Sequence, residues 1–509
     1  MISLHSQLNT LLATYQPKFI FFSVFLAVIT LIISKFFIKR SLFHSSLNYP
    51  VATTKLPILG PAIQFGVDGL NFLKNQKEIL GSNVFLVDLL ILRFHFVLGA
   101  KNTQAFYKAS NDDLDFLAGV PILLPELVED AWDVDPTFQA RGHALALKGF
   151  NQKEKLDFAL ELLIMEVDKA IDRWDKMDKV NMFEECTRLT ILVTLRFILG
   201  DKVYNEKGEE LANMYDQLEK DLAHPLVMTC RPLPTGPYRR LIHVRNTLLQ
   251  VIRECVETNI KSQKDDGSFL SLLVKELGPE YWYQYGYLCL GIILATRTNT
   301  AGVLAWTLSH LCDDKKLMDK VLQELKSTDS FQEGMGEIGS GGKSYPIKEY
   351  TFLDACMKET VRSYSNFMQF RKVTKKGGFE IEPGKVIPEG ELICISPAEE
   401  HHDEKIFENP FEYKPERWLD QEYWAKRSRE MAYVQWGFLR HRCYGEKFAQ
   451  QFDKVAWARI LTKCVLTVEN SDQKIPECLW GSGFGTSFPK DDKPYFIKIK
   501  KRREGFNQL

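Results

Sequence analysis

One stretch, WGFLRHRCYG at residues 436–445, constrains this chain more than any other. It sets a cysteine, Cys443, in a loop directly after Arg440, His441 and Arg442. The segment that follows, EKFAQQFDKVAWARILTKCV, repeats apolar residues at helical spacing, so Cys443 stands just ahead of a helix N-terminus. Neighbouring cations and the positive end of a helix dipole both favour thiolate over thiol. An exposed thiolate oxidises, whereas one that ligates a metal is protected. A lone cysteine fits neither structural zinc, which takes about four ligands, nor an iron–sulfur cluster. It does fit the single axial thiolate of a haem iron, and the basic neighbours suit haem propionates. Taken alone, the stretch also reads as a buried structural cysteine in a basic loop.

The rest of the chain narrows the choice. It has 509 residues, a net charge of −1, 45% hydrophobic and 26% charged residues. That is globular composition without the basic bias of a nucleic-acid binder. No linker or repeat divides it, so one large domain is expected. The ten cysteines are scattered with no CxxC, which reads as free thiols in a reducing compartment. FIFFSVFLAVITLIIS at 19–34 carries no charge and is followed by Lys35, Lys39 and Arg40. With the apolar residues up to 38 it is long enough to cross a bilayer, and the trailing cations place the bulk of the chain in the cytoplasm. A cleaved signal peptide, the alternative, would want a basic start and a small-residue cleavage site. The expected organisation is an anchor at 1–40, a Pro/Gly hinge at 41–66 and one domain at 67–509.

Three further motifs follow in a fixed order. CMKETVRSY puts Glu359 and Arg362 three apart on one helix face, where they can pair. FMQFRKV carries Arg371, and FEYKPERW carries Arg417 ahead of the cysteine loop. A Gly-rich run at 331–345 contains Gly342-Lys343-Ser344, but Glu337 stands where a phosphate loop needs Gly, so it reads as a surface loop. Residues 83–100, rich in β-branched and aromatic side chains, predict a pair of strands. From 151 to about 277 the pattern is mostly helical.

The loop, the E-x-x-R and the PERW, in that order, resemble the haem-thiolate cytochromes P-450. That family's loop reads roughly F-x-x-G-x-[RH]-x-C-x-G. Here Trp436 replaces the Phe and Leu439 replaces the first Gly, while His441, Cys443 and Gly445 match. Leu adopts positive φ only at a cost, so the tight turn is a point to watch. AWDVDPTFQARG at 131–142 and the segment 214–252 are similar to the sterol 14-demethylase branch. The resemblance implies a mainly α fold with small β-sheets, preceded by one N-terminal transmembrane helix. It implies heme b ligated by Cys443, with His441, Arg371, Arg141 and Trp132 as cofactor-binding residues and His143 as the alternative cation. For Arg141 and His143 a solvated helix face is the competing reading. It also implies a buried Glu359–Arg362–Arg417 network. The implied substrate cavity is lined by Phe116, Leu117, Ile292, Ala295, Phe367, Met368, Phe370 and Phe484, with a plain core role as the alternative for Phe367, Met368 and Phe370.

The long apolar, Pro-free run at 281–314 predicts a central helix interrupted by TRTNT, Thr296 to Thr300. Threonine hydroxyls bonded back to i−4 carbonyls would be the plain explanation. By resemblance this is the oxygen-activating groove, which makes Thr296, Thr298, Asn299 and Thr300 the candidate catalytic residues. Family members usually have an acid and an alcohol where Thr298 and Asn299 stand, so both parts of the usual proton relay are changed. The implied activity is a monooxygenase in the endoplasmic reticulum membrane, fed by NADPH-cytochrome P-450 reductase, with cytochrome b5 as a further donor. Its implied substrate is a sterol or terpenoid. A peroxide isomerase or dehydratase independent of reductase, and a non-catalytic haem lipid-binding protein, are the alternatives.

Overall fold

In the computed structural model, which describes residues 34–35, 37–56, 60–89, 91–128, 136–224, 226–227, 231, 233–262, 266–328, 349–365, 368–469, 472–480, 486–490 and 494–502, the segment 83–100 forms an antiparallel hairpin. Its strands are β1 (Val84–Asp88) and β2 (Arg93–Val97), paired from Val84↔Val97 to Asp88↔Arg93. They join β3 (Leu114–Asp115), β5 (Gln369–Val373) and β8 (Leu392–Ile395) in a sheet of order β1-β2-β8-β5-β3, all strands being numbered in chain order. Every residue of β1 and of β8 is buried, so β8 and the first four residues of β1 read as apolar runs rather than alternating ones, and β1 ends on the buried Asp88. A second sheet pairs β4 (Val180–Asn181), β10 (Phe496–Lys501) and β9 (Cys464–Val468); a third pairs β6 (Phe379–Glu382) with β7 (Lys385–Ile387).

Helices make up most of the remainder. The main ones are α1 (Gly60–Val67), α2 (Gly69–Leu80), α3 (Ala100–Lys108), α4 (Pro136–Asn151), α5 (Lys153–Trp174), α6 (Met182–Leu199), α7 (Asp201–Leu222), α8 (Gly236–Ser262), α9 (Phe269–Leu277), α10 (Trp282–Asp313), α11 (Lys315–Ser327), α12 (Thr351–Tyr364), α13 (Pro397–His401) and α14 (Glu446–Lys463). The central one is α10. From Thr300 to Ser309 it is buried on every side, packed by α6, α8, α12 and α14. A helix apolar all round belongs inside a large core. The described residues contain one helix long and apolar enough to span a membrane, Pro279–Asp313, and it is this core helix. The expected anchor lies outside the described residues up to position 33.

Residues 40–56 run along the hairpin. Arg40 and His44 both meet the Asp88 carboxylate, at 3.0 and 2.7 Å. Leu86 N donates to Pro50 O, and Ala52 N to Leu86 O, so this stretch adds a short parallel bridge beside β1. Tyr49 Oη lies 2.7 Å from His95 Nδ1 in the interior. Pro61 then sits at the start of α1, where its missing N–H costs nothing. Nine cysteines among the described residues are free thiols.

Candidate active site

The cysteine loop is closed by three backbone hydrogen bonds. Gly437 N donates to Val434 O, His441 N to Phe438 O, and Cys443 N to Trp436 O at 2.7 Å. Gly437 has φ +73°, and a Cβ there would lie 2.2 Å from the His441 carbonyl oxygen, so only glycine fits. Leu439 stands at φ +52° with its side chain 54% exposed. A left-handed backbone costs a non-glycine residue about 1–2 kcal/mol, and burial returns little of it here. The turn survives the Leu replacement, but under strain.

Cys443 presents free surface, yet the protein around it pushes its thiol up. The backbone N–H groups of Gly445 and Glu446, at the start of α14, act on the sulfur in the opposite sense. The expected help from the basic neighbours is corrected. Arg442 pairs bidentately with Glu446, and the charge of Arg440 falls on Arg371. Burial therefore outweighs the helix end in the free thiol; a bound metal would deprotonate it outright.

A cationic pocket stands close by. Arg371 on β5 is buried, donates to Phe106 O at 2.6 Å and lies over the Phe106 ring. Burial, reinforced by Arg440, lowers its pKa to about 10. Among the described residues no carboxylate pairs with it. A buried guanidinium with no carboxylate partner calls for an anion, and Arg440, exposed in the loop, adds positive charge to it, so the donor set fits the propionates of a haem as the cysteine fits its iron. Arg141 is placed elsewhere: it is exposed on α4 and donates to Glu276 O on α9. Trp132 and the side chain of His143 lie outside the described residues, as do Phe367, Phe484 and the Gly-rich run at 331–345.

Glu359, Arg362 and Arg417 form one buried group. Arg362 makes a bidentate pair with Glu359, 2.9 Å for each bond, and Arg417 Nε reaches Glu359 Oε1 at 3.2 Å. Trp418 Nε1 and Lys414 N complete the carboxylate at 2.8 and 2.9 Å, and Arg362 also donates to His401 O on α13. The E-x-x-R spacing foretold the first pair. The indole of Trp418 was missed, though it is the last letter of the PERW motif.

On α10 an accessible stripe runs through the middle of the helix. Gly291 and Ala295 are exposed, and Ile292, Thr296 and Asn299 are half-buried. Positions 291, 295 and 299 share a face at i, i+4, i+8. Thr296 Oγ1 donates back to Ile292 O and Asn299 Nδ2 to Ala295 O, at 2.9 and 2.8 Å. Of the four polar candidates only Thr296 and Asn299 reach this groove, and the assignment of the other two is corrected. Thr298 turns to α7, 3.0 Å from Glu219 Oε1, and Thr300 is in the core. Helix periodicity decides it, since each successive residue turns about 100°. Arg297, the residue before Thr298, turns the same way and pairs with Asp216, at 2.6 Å, and Glu219. Thr486, which sequence reasoning passed over, binds the carbonyl of Asn299 and the hydroxyl of Ser365. Of the expected cavity residues, Phe116 is exposed and its ring meets that of Phe370, 5.3 Å away; Met368 is buried and Leu117 half-buried.

Known proteins give the same picture. The family model described as "Cytochrome P450" matches residues 52–498. A cytochrome P450 monooxygenase, pyvB, of Aspergillus violaceofuscus is 26% identical over 79% of this chain and 80% of its own length. The lanosterol 14-alpha demethylase of Rattus norvegicus is 24% identical, over 81% of each chain. The solved structure of retinoic acid-bound cyanobacterial CYP120A1 superposes with a TM-score of 0.73 at 18% identity, covering 90% of this chain and all of that one. With a family match over most of its length and relatives named for this chemistry, the chain belongs to the cytochrome P450 family and is a monooxygenase, an oxidoreductase of a family whose haem is ligated by cysteine.

Proposed function

We propose that this protein oxidises a lipophilic polycyclic compound, a sterol or terpenoid, with dioxygen and NADPH-derived electrons passed on by a flavoprotein reductase. The observation that carries the reading is the exposed Cys443, with two helix-start N–H groups acting on its sulfur. Cys443 would ligate the haem iron, and Arg371 with Arg440 would hold the propionates. The haem, when bound, supplies reductive activation of dioxygen. Asn299 and Thr296 hold a water along the groove of α10, and Phe116, Phe370 and Met368 keep bulk water from the substrate. The lanosterol demethylase relatives support a sterol-sized ligand. Residues 1–40 anchor the chain in the endoplasmic reticulum membrane with the domain at 67–509 in the cytosol. The test is to incubate reductase-supplied microsomes with a sterol and terpenoid panel under isotope-labelled dioxygen. Label in an NADPH-dependent product is expected; none across the panel contradicts the reading.

One observation favours a second reading. The groove presents an amide at Asn299 where a relay needs a proton source, and the hydroxyl beside it, on Thr296, is bonded back into the helix. That arrangement suits rearrangement of a peroxide substrate, which would yield product with no NADPH at all.

A further inference from the structure

The two closest ring pairs among the described residues lie end to end. Trp306 on α10 stacks on Tyr364, at the end of α12, with centroids 4.0 Å apart and planes 2° from parallel. His310, one turn further along α10, stacks on Tyr413 at 3.6 Å and 5°. Tyr364 Oη and His310 Nε2 join the pairs at 2.7 Å. Packing alone does not select this arrangement. Aromatic rings prefer offset or edge-on contacts to a face-to-face sandwich, and most ring pairs around this stack are T-shaped or tilted, as Phe183 is on Trp306.

The stack is fastened to the groove. Thr486 Oγ1 bonds to Asn299 O and to Ser365. The next residue, Ser487, accepts from Trp306 Nε1 and donates to Tyr364 O, each at 2.7 Å. Trp306 is seven residues beyond Asn299, about 10 Å along the helix, a gap that an electron tunnels across in one step. Tryptophan and tyrosine are the most readily oxidised aromatic side chains, and tyrosine gives up an electron readily only if its proton has somewhere to go.

We propose that Tyr364 is a redox-active tyrosine, fed through Trp306 and coupled to His310 as its proton acceptor, that drains an oxidising equivalent from the active site when no substrate takes it. Trp306 gives one electron to the oxidised site, and Tyr364 gives one electron to Trp306. The Tyr364 phenolic proton moves to His310 Nε2. The net result is one electron delivered, a neutral tyrosyl radical and an imidazolium. One electron from a reductant such as ascorbate, with the same proton returned, restores the pair. Burial holds the His310 pKa down to about 3, so the ring is neutral and able to accept. An oxidised phenol is acidic enough to protonate even so weak a base.

This rests on the haem reading only for the source of the oxidant, which in the test is cumene hydroperoxide. Holoenzyme without substrate is mixed with it, freeze-quenched and examined by electron paramagnetic resonance, with ring-deuterated tyrosine to assign the signal. A tyrosyl radical is expected in the wild type, at least tenfold weaker in Tyr364→Phe, and several-fold weaker in Trp306→Phe and His310→Gln. The half-life of the haem absorbance under hydroperoxide should shorten several-fold in Tyr364→Phe. A tyrosyl signal undiminished in Tyr364→Phe, or no tyrosyl signal from wild type whose reduced carbon-monoxide spectrum is normal, overturns the proposal. An abnormal carbon-monoxide spectrum in the wild type would instead overturn the haem assignment.

Discussion

On the cysteine side of the molecule, Glu359 receives five hydrogen bonds, from Arg362, Arg417, Trp418 and the backbone of Lys414, and shows no surface to solvent. On the groove side, Arg297 is equally buried, but its partners on α7 are not: the side chains of Asp216 and Glu219 are 41% and 27% exposed. The first group is a closed unit in which every charge depends on every other. The second is a tether between α10 and α7 with one end in water. A buried ion pair that loses one member leaves a stranded charge, whereas a half-solvated carboxylate takes up water instead. The cysteine side is therefore built to be rigid and the groove side to tolerate change.

The sharpest way to break that comparison is Glu359→Ala, which strands two buried guanidiniums. Losing one partner of such a group costs about 3–5 kcal/mol, a large share of the ~5–15 kcal/mol that holds a domain together. Haem content and soluble yield should fall together; normal haem loading would show the network to be dispensable. Next comes Asn299→Leu in the groove. It should leave the fold intact but release reducing equivalents as peroxide while product drops about tenfold, equivalent to ~1.4 kcal/mol of barrier. Native rate and coupling would reduce Asn299 to packing.

Glu400 on α13 refines the contrast, because it is as buried as Glu359 yet its carboxyl is held by the Thr103 hydroxyl rather than by a cation. Burial raises its pKa to about 8. The folded chain therefore keeps a proton that the unfolded chain releases near pH 4.3, and stability should fall as pH rises from there to about 8. Glu400→Gln should flatten that fall when melting temperature is followed against pH; parallel curves for the two proteins would refute it. Leu439→Gly should relieve the left-handed turn and raise stability by up to about 1 kcal/mol, less what the freer unfolded chain takes back; a lower melting temperature would mean the leucine is held by contacts of its own. The smallest effect is expected from Arg297→Met. Asp216 and Glu219 already touch water and would be solvated rather than stranded, so the melting temperature should hardly move, and a collapse like that of Glu359→Ala would erase the distinction between the two sides.

What could be read from the sequence follows the same division. The E-x-x-R pair is local, three residues on one helix face, and the cysteine loop is contiguous, so both were legible. The hairpin at 83–100 was legible because side-chain type reports burial on both faces. Arg440 was visible as one cation among three, but that its charge is felt by Arg371 depends on β5 lying beside the loop. The role of Thr298 depends on α7 packing across α10, and no spacing within TRTNT encodes that. Thr486 joins Asn299 to Ser365 from nearly two hundred positions away, beyond the reach of any pattern. Composition named the polar residues in the groove helix, and tertiary packing decided which way each one faced.

Cys443 is the residue on which the proposed site depends, and the spectrum of the reduced carbon-monoxide complex tests it directly. Purified wild-type protein should give the long-wavelength band of a thiolate-ligated haem, and Cys443→Ser should lose that band. An unchanged spectrum in the variant would contradict the assignment of the ligand and with it the proposed site.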